Sequence, residues 1–146
     1  MRRLPEKSRR RGIATVEFAL VAPLIMLLLA GVLDFSLLLR TATTATDAAR
    51  AGAAYGSRGV LSSVDLSGMQ AAALNAAPGL TGMTAAASRS CLCNDSSSVS
   101  CTGTCPSGAL QVYVKVTTQV ATHTVFDYLG VSIPETVSAS ASMRAQ

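Results

Sequence analysis

The sequence predicts an α+β protein: a long N-terminal transmembrane helix, a short second helix and a small antiparallel sheet with a disulfide-bearing loop. Two observations support this prediction. An almost unbroken apolar run covers residues 13–39. Later segments alternate apolar and polar side chains with the two-residue period of half-buried strands.

The apolar run is long enough to cross a bilayer. As a helix, residues 13–39 would extend about 40 Å, against about 30 Å for the hydrocarbon core. Glu17 and Asp34 are the ionisable residues within it. We therefore expect a single membrane span over residues 13–39.

The charge distribution predicts the orientation of this span. The first twelve residues contain six basic residues and one acid, whereas the rest of the chain has six basic and seven acidic residues. Because basic segments stay on the cytoplasmic side, the C-terminal part is expected to be translocated. The formal net charge of +4 therefore resides near the N-terminus. No basic, aromatic surface remains to indicate a nucleic-acid partner.

Two simple interpretations of the apolar run leave features unexplained. A secretory signal peptide has a shorter apolar region and a small-x-small cleavage site, which Leu28-Leu29-Ala30 does not provide. A plain membrane anchor does not explain Glu17, since a carboxylate about one turn inside lipid is costly and usually functional.

A third interpretation uses all of these features. A basic cluster precedes a glycine, and an acid and an aromatic residue follow five and six positions later: Arg9, Arg10, Arg11, Gly12, Ile13, Glu17 and Phe18. This order resembles the processing site of type IV pilin-like precursors. With VEFALVAPLIMLLLAGVLDFS and TDAARAGAA, residues 9–58 resemble the TadE-like pseudopilins, minor pilins of the Tad (Flp, type IVc) pilus system. The C-terminal PETVSASASMR resembles them more loosely, and the cysteines lie outside the family pattern.

The resemblance implies a pilin-like fold and a processing site at Gly12, Ile13, Glu17 and Phe18. Residues 1–12 would be a cytoplasmic leader that a prepilin peptidase removes. The protein would act in assembly of a Tad pilus used in surface adhesion or secretion, with other Tad pilins and the assembly platform as partners. It would lie in the inner (cytoplasmic) membrane with its C-terminal domain outside, and reach the pilus or cell surface after assembly.

Glu17 has a specific expected role. A carboxylate in lipid must be neutralised, and cleavage would create a new cation at the α-amino group of Ile13, one helical turn away. That cation can pair with its own Glu17 or with the Glu17 of a neighbouring subunit, and the resemblance favours the neighbour. Alternatively, Glu17 stays protonated or faces the headgroups.

Residues 40–56 are expected to extend the helix beyond the membrane. They contain no proline, and small residues recur at every fourth position: Thr41, Ala45, Ala49 and Ala53. Such a stripe suits close packing, either against the protein's own sheet or between subunits.

Residues 57–146 are expected to form one extracytoplasmic α+β domain. Residues 57–63 are interpreted as a loop, and Ser67-Gly68-Met69-Gln70 as a capping box that starts a short helix ending at Ala77. This helix would bury Leu66, Met69, Ala73, Leu74 and Ala77.

Three strands are predicted, at residues 83–93, 109–121 and 135–144. The second is the clearest, with one apolar face: Leu110, Val112, Val114, Val116 and Val120. The third has small inward residues, so a helix can lie close over it. An apolar, aromatic connection covers residues 123–130.

Four cysteines lie within fifteen residues, at Cys91, Cys93, Cys101 and Cys105. On the translocated side they favour two disulfides over a metal site, because the spacing lacks the Cys-x2-Cys of zinc knuckles. If the strands before and after the loop form a hairpin, the nested pairs Cys91–Cys105 and Cys93–Cys101 fit best.

No catalytic arrangement is predicted, and neither is a cofactor. His123 is the single histidine, and the sequence contains no phosphate-binding loop or zinc-protease motif. We expect a protein that is not an enzyme. The alternative function is a single-pass, membrane-anchored envelope domain that binds a ligand or metal through its cysteine-rich loop.

Overall fold

The computed structural model describes residues 9–106, 108–122 and 135–145. Its helices are α1 (Arg9–Gly56), α2 (Val60–Val64) and α3 (Leu66–Ala76), and its strands are β1 (Thr84–Leu92), β2 (Ser98–Val99), β3 (Gln111–Ala121) and β4 (Thr136–Arg144). The strands form one antiparallel sheet in the order β2-β1-β3-β4. The predicted α+β class, with its long N-terminal helix and disulfide-bearing loop, is confirmed.

Helix α1 has two halves with different surroundings. It contains 48 residues, which corresponds to a length of about 72 Å. Large apolar side chains from Val16 to Leu39 are exposed, whereas buried residues dominate from Ala45 to Gly56. The section Ala14–Gly56 contains a stretch that is long and apolar enough to cross a membrane. The first half of α1 is thus free to contact lipid, while the second half packs on the sheet.

The small residues of α1 pack on the protein's own sheet. Ala45, Ala49 and Ala53 are fully buried, and Ala45 and Ala53 belong to clusters with apolar side chains of β3 and β4. The β4 residues on this side are partly buried and mostly small: Val137, Ala139, Ala141 and Met143. Of the two interpretations of the small-residue stripe, packing on the sheet is therefore the observed one.

Helix α3 buries a narrower face than predicted. Met69, Ala73 and Ala77 are buried, but Leu66 and Leu74 are 39% and 42% exposed. The reason is the spacing: residues 69, 73 and 77 follow each other at intervals of four and face α1 and the sheet. Leu66 and Leu74 lie beside this row.

The start of α3 also differs from the prediction. The cap is Asp65, whose side chain accepts a 2.8 Å hydrogen bond from the backbone N–H of Gly68. Ser67, the predicted cap, instead donates its hydroxyl hydrogen bond to Asp65. The predicted capping box at residues 67–70 is therefore wrong by two positions.

Part of the predicted loop at residues 57–63 is helical. Helix α2 begins at Val60, and the Ser63 hydroxyl donates to the carbonyl oxygen of Val60 while its backbone N–H donates to Gly59. Ser63 is buried, and both of its hydrogen-bond donors are satisfied inside this turn. The sequence shows no apolar periodicity in so short a segment, so α2 was not predictable from pattern.

The predicted strands correspond to β1, β3 and β4, and β2 was not predicted. β2 has two residues, with Val99 opposite Cys91 and Ser98 opposite Leu92. It is too short for a two-residue alternation to be recognised.

Candidate functional site

The predicted processing residues lie in the first half of α1. Gly12 and Ile13 are within the helix, and Glu17 and Phe18 are exposed, with Phe18 at 69%. Because α1 is helical from Arg9 onwards, Ile13 and Glu17 are four residues apart on one helix face. The geometry is compatible with the expected pairing, and the processing role itself remains a prediction.

Asp34 has a different environment from Glu17. Its exposure is 8%, although the apolar side chains on either side of it, Leu33 and Phe35, are 60% and 61% exposed. The sequence marks Asp34 merely as an interruption of the apolar run. Its burial therefore distinguishes Asp34 from its neighbours on α1.

The four cysteines form two crossed disulfides. Cys91 is bonded to Cys101, and Cys93 to Cys105, with Cα–Cα distances of 5.1 and 5.6 Å. The nested pairing, Cys91–Cys105 with Cys93–Cys101, is therefore wrong. No free thiol remains to serve as a metal ligand.

The short hairpin of β1 and β2 explains the crossed pairing. A turn in which the Ser96 N–H donates to the Cys93 carbonyl reverses the chain and places Val99 opposite Cys91. Two residues later, Cys101 lies diagonally next to Cys91. A second turn, closed by the Gly103 N–H on the Ser100 carbonyl, returns the chain so that Cys105 reaches Cys93. The nested pairing would require the whole segment between β1 and β3 to be one wide loop, without β2.

Hydrogen bonds attach this disulfide loop to β3. The Gln111 side-chain amide donates to the Asn94 side-chain oxygen at 2.9 Å, and Tyr113 donates to Gln111 at 3.0 Å. Within the loop, the Ser97 hydroxyl and its backbone N–H donate to Asp95, which lowers the pKa of the Asp95 carboxyl. The loop is thus held by two disulfides and by its own polar contacts.

A second polar network joins α1 to α3. Asp65 accepts hydrogen bonds from the Gly68 N–H, the Ser67 hydroxyl and the Tyr55 hydroxyl. These three donors, in that order of effect, lower the pKa of the Asp65 carboxyl. The hydrogen bond between Tyr55 and Asp65 in turn raises the pKa of the Tyr55 hydroxyl. Sequence analysis missed Asp65, although an acid three residues before Gly68 at a helix start is a recognisable capping signal.

The described ranges, 9–106, 108–122 and 135–145, contain no group of three or more metal-ligating side chains. His123 and the predicted connection at residues 123–130 lie outside those ranges, as do residues 1–8 of the predicted leader.

Comparison with known proteins agrees with the organisation of α1. Residues 12–54 match the family model of the TadE-like proteins. No curated protein and no solved structure matches the chain. The matched segment begins at the predicted cleavage glycine and ends near the end of α1, so the resemblance to TadE-like proteins is confirmed over this stretch.

Proposed function

We propose that this chain, with its TadE-like segment at residues 12–54, is a minor pilin (pseudopilin) required for assembly of a Tad pilus. One observation is central to the proposal. The matched segment coincides with a helix that exposes large apolar side chains in its first half. The second half of the helix packs against the sheet of the same chain. A subunit of this shape can be stored in a membrane and then packed against the helices of other subunits.

The proposed domain organisation follows from this function. Residues 1–12 are the cytoplasmic leader, 13–39 the membrane span, 40–56 the helix extension and 57–146 the extracytoplasmic domain. The basic leader keeps the N-terminus in the cytoplasm, so the disulfide-bonded domain folds in an oxidising compartment. The protein resides in the inner membrane before assembly.

Processing would occur after Gly12, with a prepilin peptidase as the enzyme. Cleavage removes the basic residues that hold the leader at the cytoplasmic face and leaves the α-amino group of Ile13 as the new N-terminus. On a helix, an α-amino group at Ile13 and the side chain of Glu17 would lie about one turn apart on the same face. We assign Glu17 to pairing with the N-terminus of a neighbouring subunit, since an unpaired carboxylate in lipid is costly.

The experiment for processing is mass spectrometry of the intact mature protein from envelopes. We expect a chain that begins at Ile13 in the wild type. Gly12→Leu should leave a precursor in the inner membrane. Gly31→Leu is the matched control, because a Cβ atom at Gly31 would meet nothing within 4 Å, and it should be processed normally. An assembled protein that retains residues 2–12 would refute the pilin assignment.

The experiment for assembly separates Glu17 from processing. Glu17→Gln should be inserted and cleaved, yet should not co-purify with partner pilins or support piliation. Asp47→Asn removes an exposed acid of the same helix, paired at 3.5 Å with Arg50, and should assemble normally. Normal assembly by Glu17→Gln would exclude the pairing, whereas loss of cleavage would assign Glu17 to peptidase recognition.

The alternative function is a membrane-anchored envelope domain that uses its cysteine-rich loop to bind a ligand or metal. Metal binding by this loop is disfavoured, because the sulfur atoms of a disulfide are not thiolate ligands. An anchor needs no leader cleavage, so the mass of the mature chain also distinguishes the two functions.

A further inference from the structure

Helix α2 carries its apolar side chains on the outside. Val60, Leu61 and Val64 are 74%, 86% and 51% exposed, whereas Ser63 is buried. Among the residues that the structure describes, no large apolar side chain is more exposed than Leu61. A surface helix normally turns its apolar side chains towards the core and its polar ones towards solvent, and α2 does the reverse. We call Val60, Leu61 and Val64 the α2 patch.

The three side chains of the α2 patch lie on one face of the helix. Successive helical residues are about 100° apart, so positions 60, 61 and 64 fall within an arc of about 100°. Charged residues flank the patch in the chain: Arg58, whose guanidinium lies 6.0 Å from the ring centroid of Tyr55, and Asp65, which caps α3. An exposed apolar patch with a polar border typically marks a contact with a protein or a membrane.

The position of α2 excludes the bilayer around the proposed span as that contact. Residues 40–56 of α1 extend about 25 Å beyond the span. Val60 lines a cleft together with Gln111, at the start of β3, whereas Thr118, further along β3, bonds to Ala45, which is nearer to the span. α2 therefore lies at the end of the domain that is farthest from the span, out of reach of the surrounding lipid.

The chain itself presents a complementary apolar surface. The first half of α1 exposes large apolar side chains from Val16 to Leu39. Lipid covers these side chains only while the subunit stays in the membrane. A subunit that leaves the membrane for a pilus must bury them against other subunits, because their exposure to water is unfavourable.

We propose that, in the assembled pilus, the α2 patch of one subunit packs against the first half of α1 in a second copy of this chain. This inference rests on the proposed pilin function. Leu61 and the two valines would contact the row of leucines on the neighbouring helix, and both apolar surfaces would lose their contact with water.

The contact requires an axial offset between the two subunits. In subunits that point in the same direction, the α2 level lies about 25 Å beyond Leu39 and about 60 Å beyond Val16. The second copy must therefore be raised by about 25–60 Å along the helix axis. Two copies side by side in one membrane have no such offset, so the contact forms only on assembly.

The two surfaces in this contact are different parts of the chain. A contact between unlike surfaces is heterologous, and with an axial offset it repeats as an open helical array instead of closing into a dimer. A second copy as the occupant of the α2 patch is thus compatible with growth of a filament.

The test is photo-cross-linking in cells that assemble pili, with p-benzoyl-phenylalanine in place of Leu61 in the full-length chain. This amino acid is large and apolar, so it preserves the character of the α2 patch. Two copies, one of them with a C-terminal epitope tag, show whether an adduct joins two chains, and mass spectrometry of the linked peptides locates the partner residues. We expect an adduct between position 61 and residues 16–39 of the second copy in sheared pili, and none in membranes.

The other outcomes overturn the proposal. Adducts with lipid, with another protein or with residues 57–146 of the second copy would each exclude the proposed occupant. The same adduct in membranes would exclude the axial offset. An assembled protein without an adduct would refute this contact alone, whereas a processed protein that never enters sheared pili would refute the pilin function and the contact with it.

A side-chain variant connects the α2 patch to assembly. Leu61→Ser should lower the amount of the protein in sheared pili about tenfold, as expected for the loss of one buried leucine at an interface. Processing after Gly12 and the melting temperature should not change, because Leu61 is exposed in the subunit. Leu74→Ser is the matched control, since Leu74 is an exposed leucine of α3 outside the patch. Normal assembly by Leu61→Ser, or an equal loss with Leu74→Ser, would refute the contact.

Discussion

The hydroxyl of Thr118 donates a 2.8 Å hydrogen bond to the backbone carbonyl oxygen of Ala45. Both residues are fully buried, and 73 positions separate them in the chain. This bond joins the centre of β3 to α1 at the level where the helix first packs on the sheet. It also explains why a threonine interrupts the buried valine row of β3.

Thr118→Val tests the contribution of this contact. The valine keeps the shape of the side chain but removes the donor, and we expect a loss of about 1 kcal/mol in the free energy of unfolding. Denaturant unfolding in detergent micelles, followed by circular dichroism, measures it. Thr117→Val is the control on the outer face of the same strand. Equal stability of the two variants would contradict the assigned role.

Gly52 sets the distance between α1 and α3. A Cβ atom at this position would lie 2.7 Å from the Met69 carbonyl oxygen and 3.1 Å from the Ala73 Cβ. Because the first of these is backbone, Gly52→Ala must displace α3, and we expect about 1–3 kcal/mol of destabilisation in thermal or denaturant unfolding. Gly31→Ala, where nothing lies within 4 Å, should be neutral. A neutral Gly52→Ala would show that the helices are farther apart.

The crossed disulfides predict a definite fragment pattern. One residue separates Cys91 from Cys93, so partial reduction with differential alkylation is the suitable mapping method. We expect the pairs Cys91–Cys101 and Cys93–Cys105. Recovery of Cys91 bonded to Cys105 would contradict the β1–β2 hairpin that positions Cys101.

Removal of the Cys93–Cys105 disulfide should destabilise the domain while its core stays buried. The double variant Cys93→Ser, Cys105→Ser releases a loop with a sequence separation of 12 residues. By the chain-entropy model we expect a loss of about 2–3 kcal/mol in the free energy of unfolding. Reduction of the wild-type protein is the comparison, and it should cost more because it also opens Cys91–Cys101. A double variant as stable as the wild type would show that the loop is already ordered in the unfolded chain.

The Asp65 cap predicts a pH dependence of stability. Its hydrogen bonds lower the pKa of the carboxyl in the folded state, so its contribution is complete above the ordinary carboxyl range, near pH 4. The contribution is lost as the pH falls through the lowered pKa. Asp65→Asn should therefore be less stable than the wild type at pH 7, and the difference should shrink in acid. Melting temperatures at a series of pH values measure this, with Asp47→Asn as the control acid; a difference independent of pH would refute the ionised cap.

Local patterns in the sequence were sufficient for the class of the fold and for most elements. The apolar run at residues 13–39 and the alternation at residues 109–121 are periodic over many residues, so each predicts its element without knowledge of its neighbours. The four clustered cysteines likewise predict a disulfide-bearing loop. Gly12, Glu17 and the charge asymmetry are local features as well, and the processing site that they predict is still to be tested.

The tertiary structure decided which elements and side chains meet. The crossed disulfides depend on β2, a two-residue strand that exists because it pairs with β1. The small residues of α1 could face the sheet or another subunit, and the packing against β3 and β4 selected the sheet. Thr118 is buried because Ala45 lies above it. Such contacts join residues far apart in the chain, and periodicity within one segment contains no information about them.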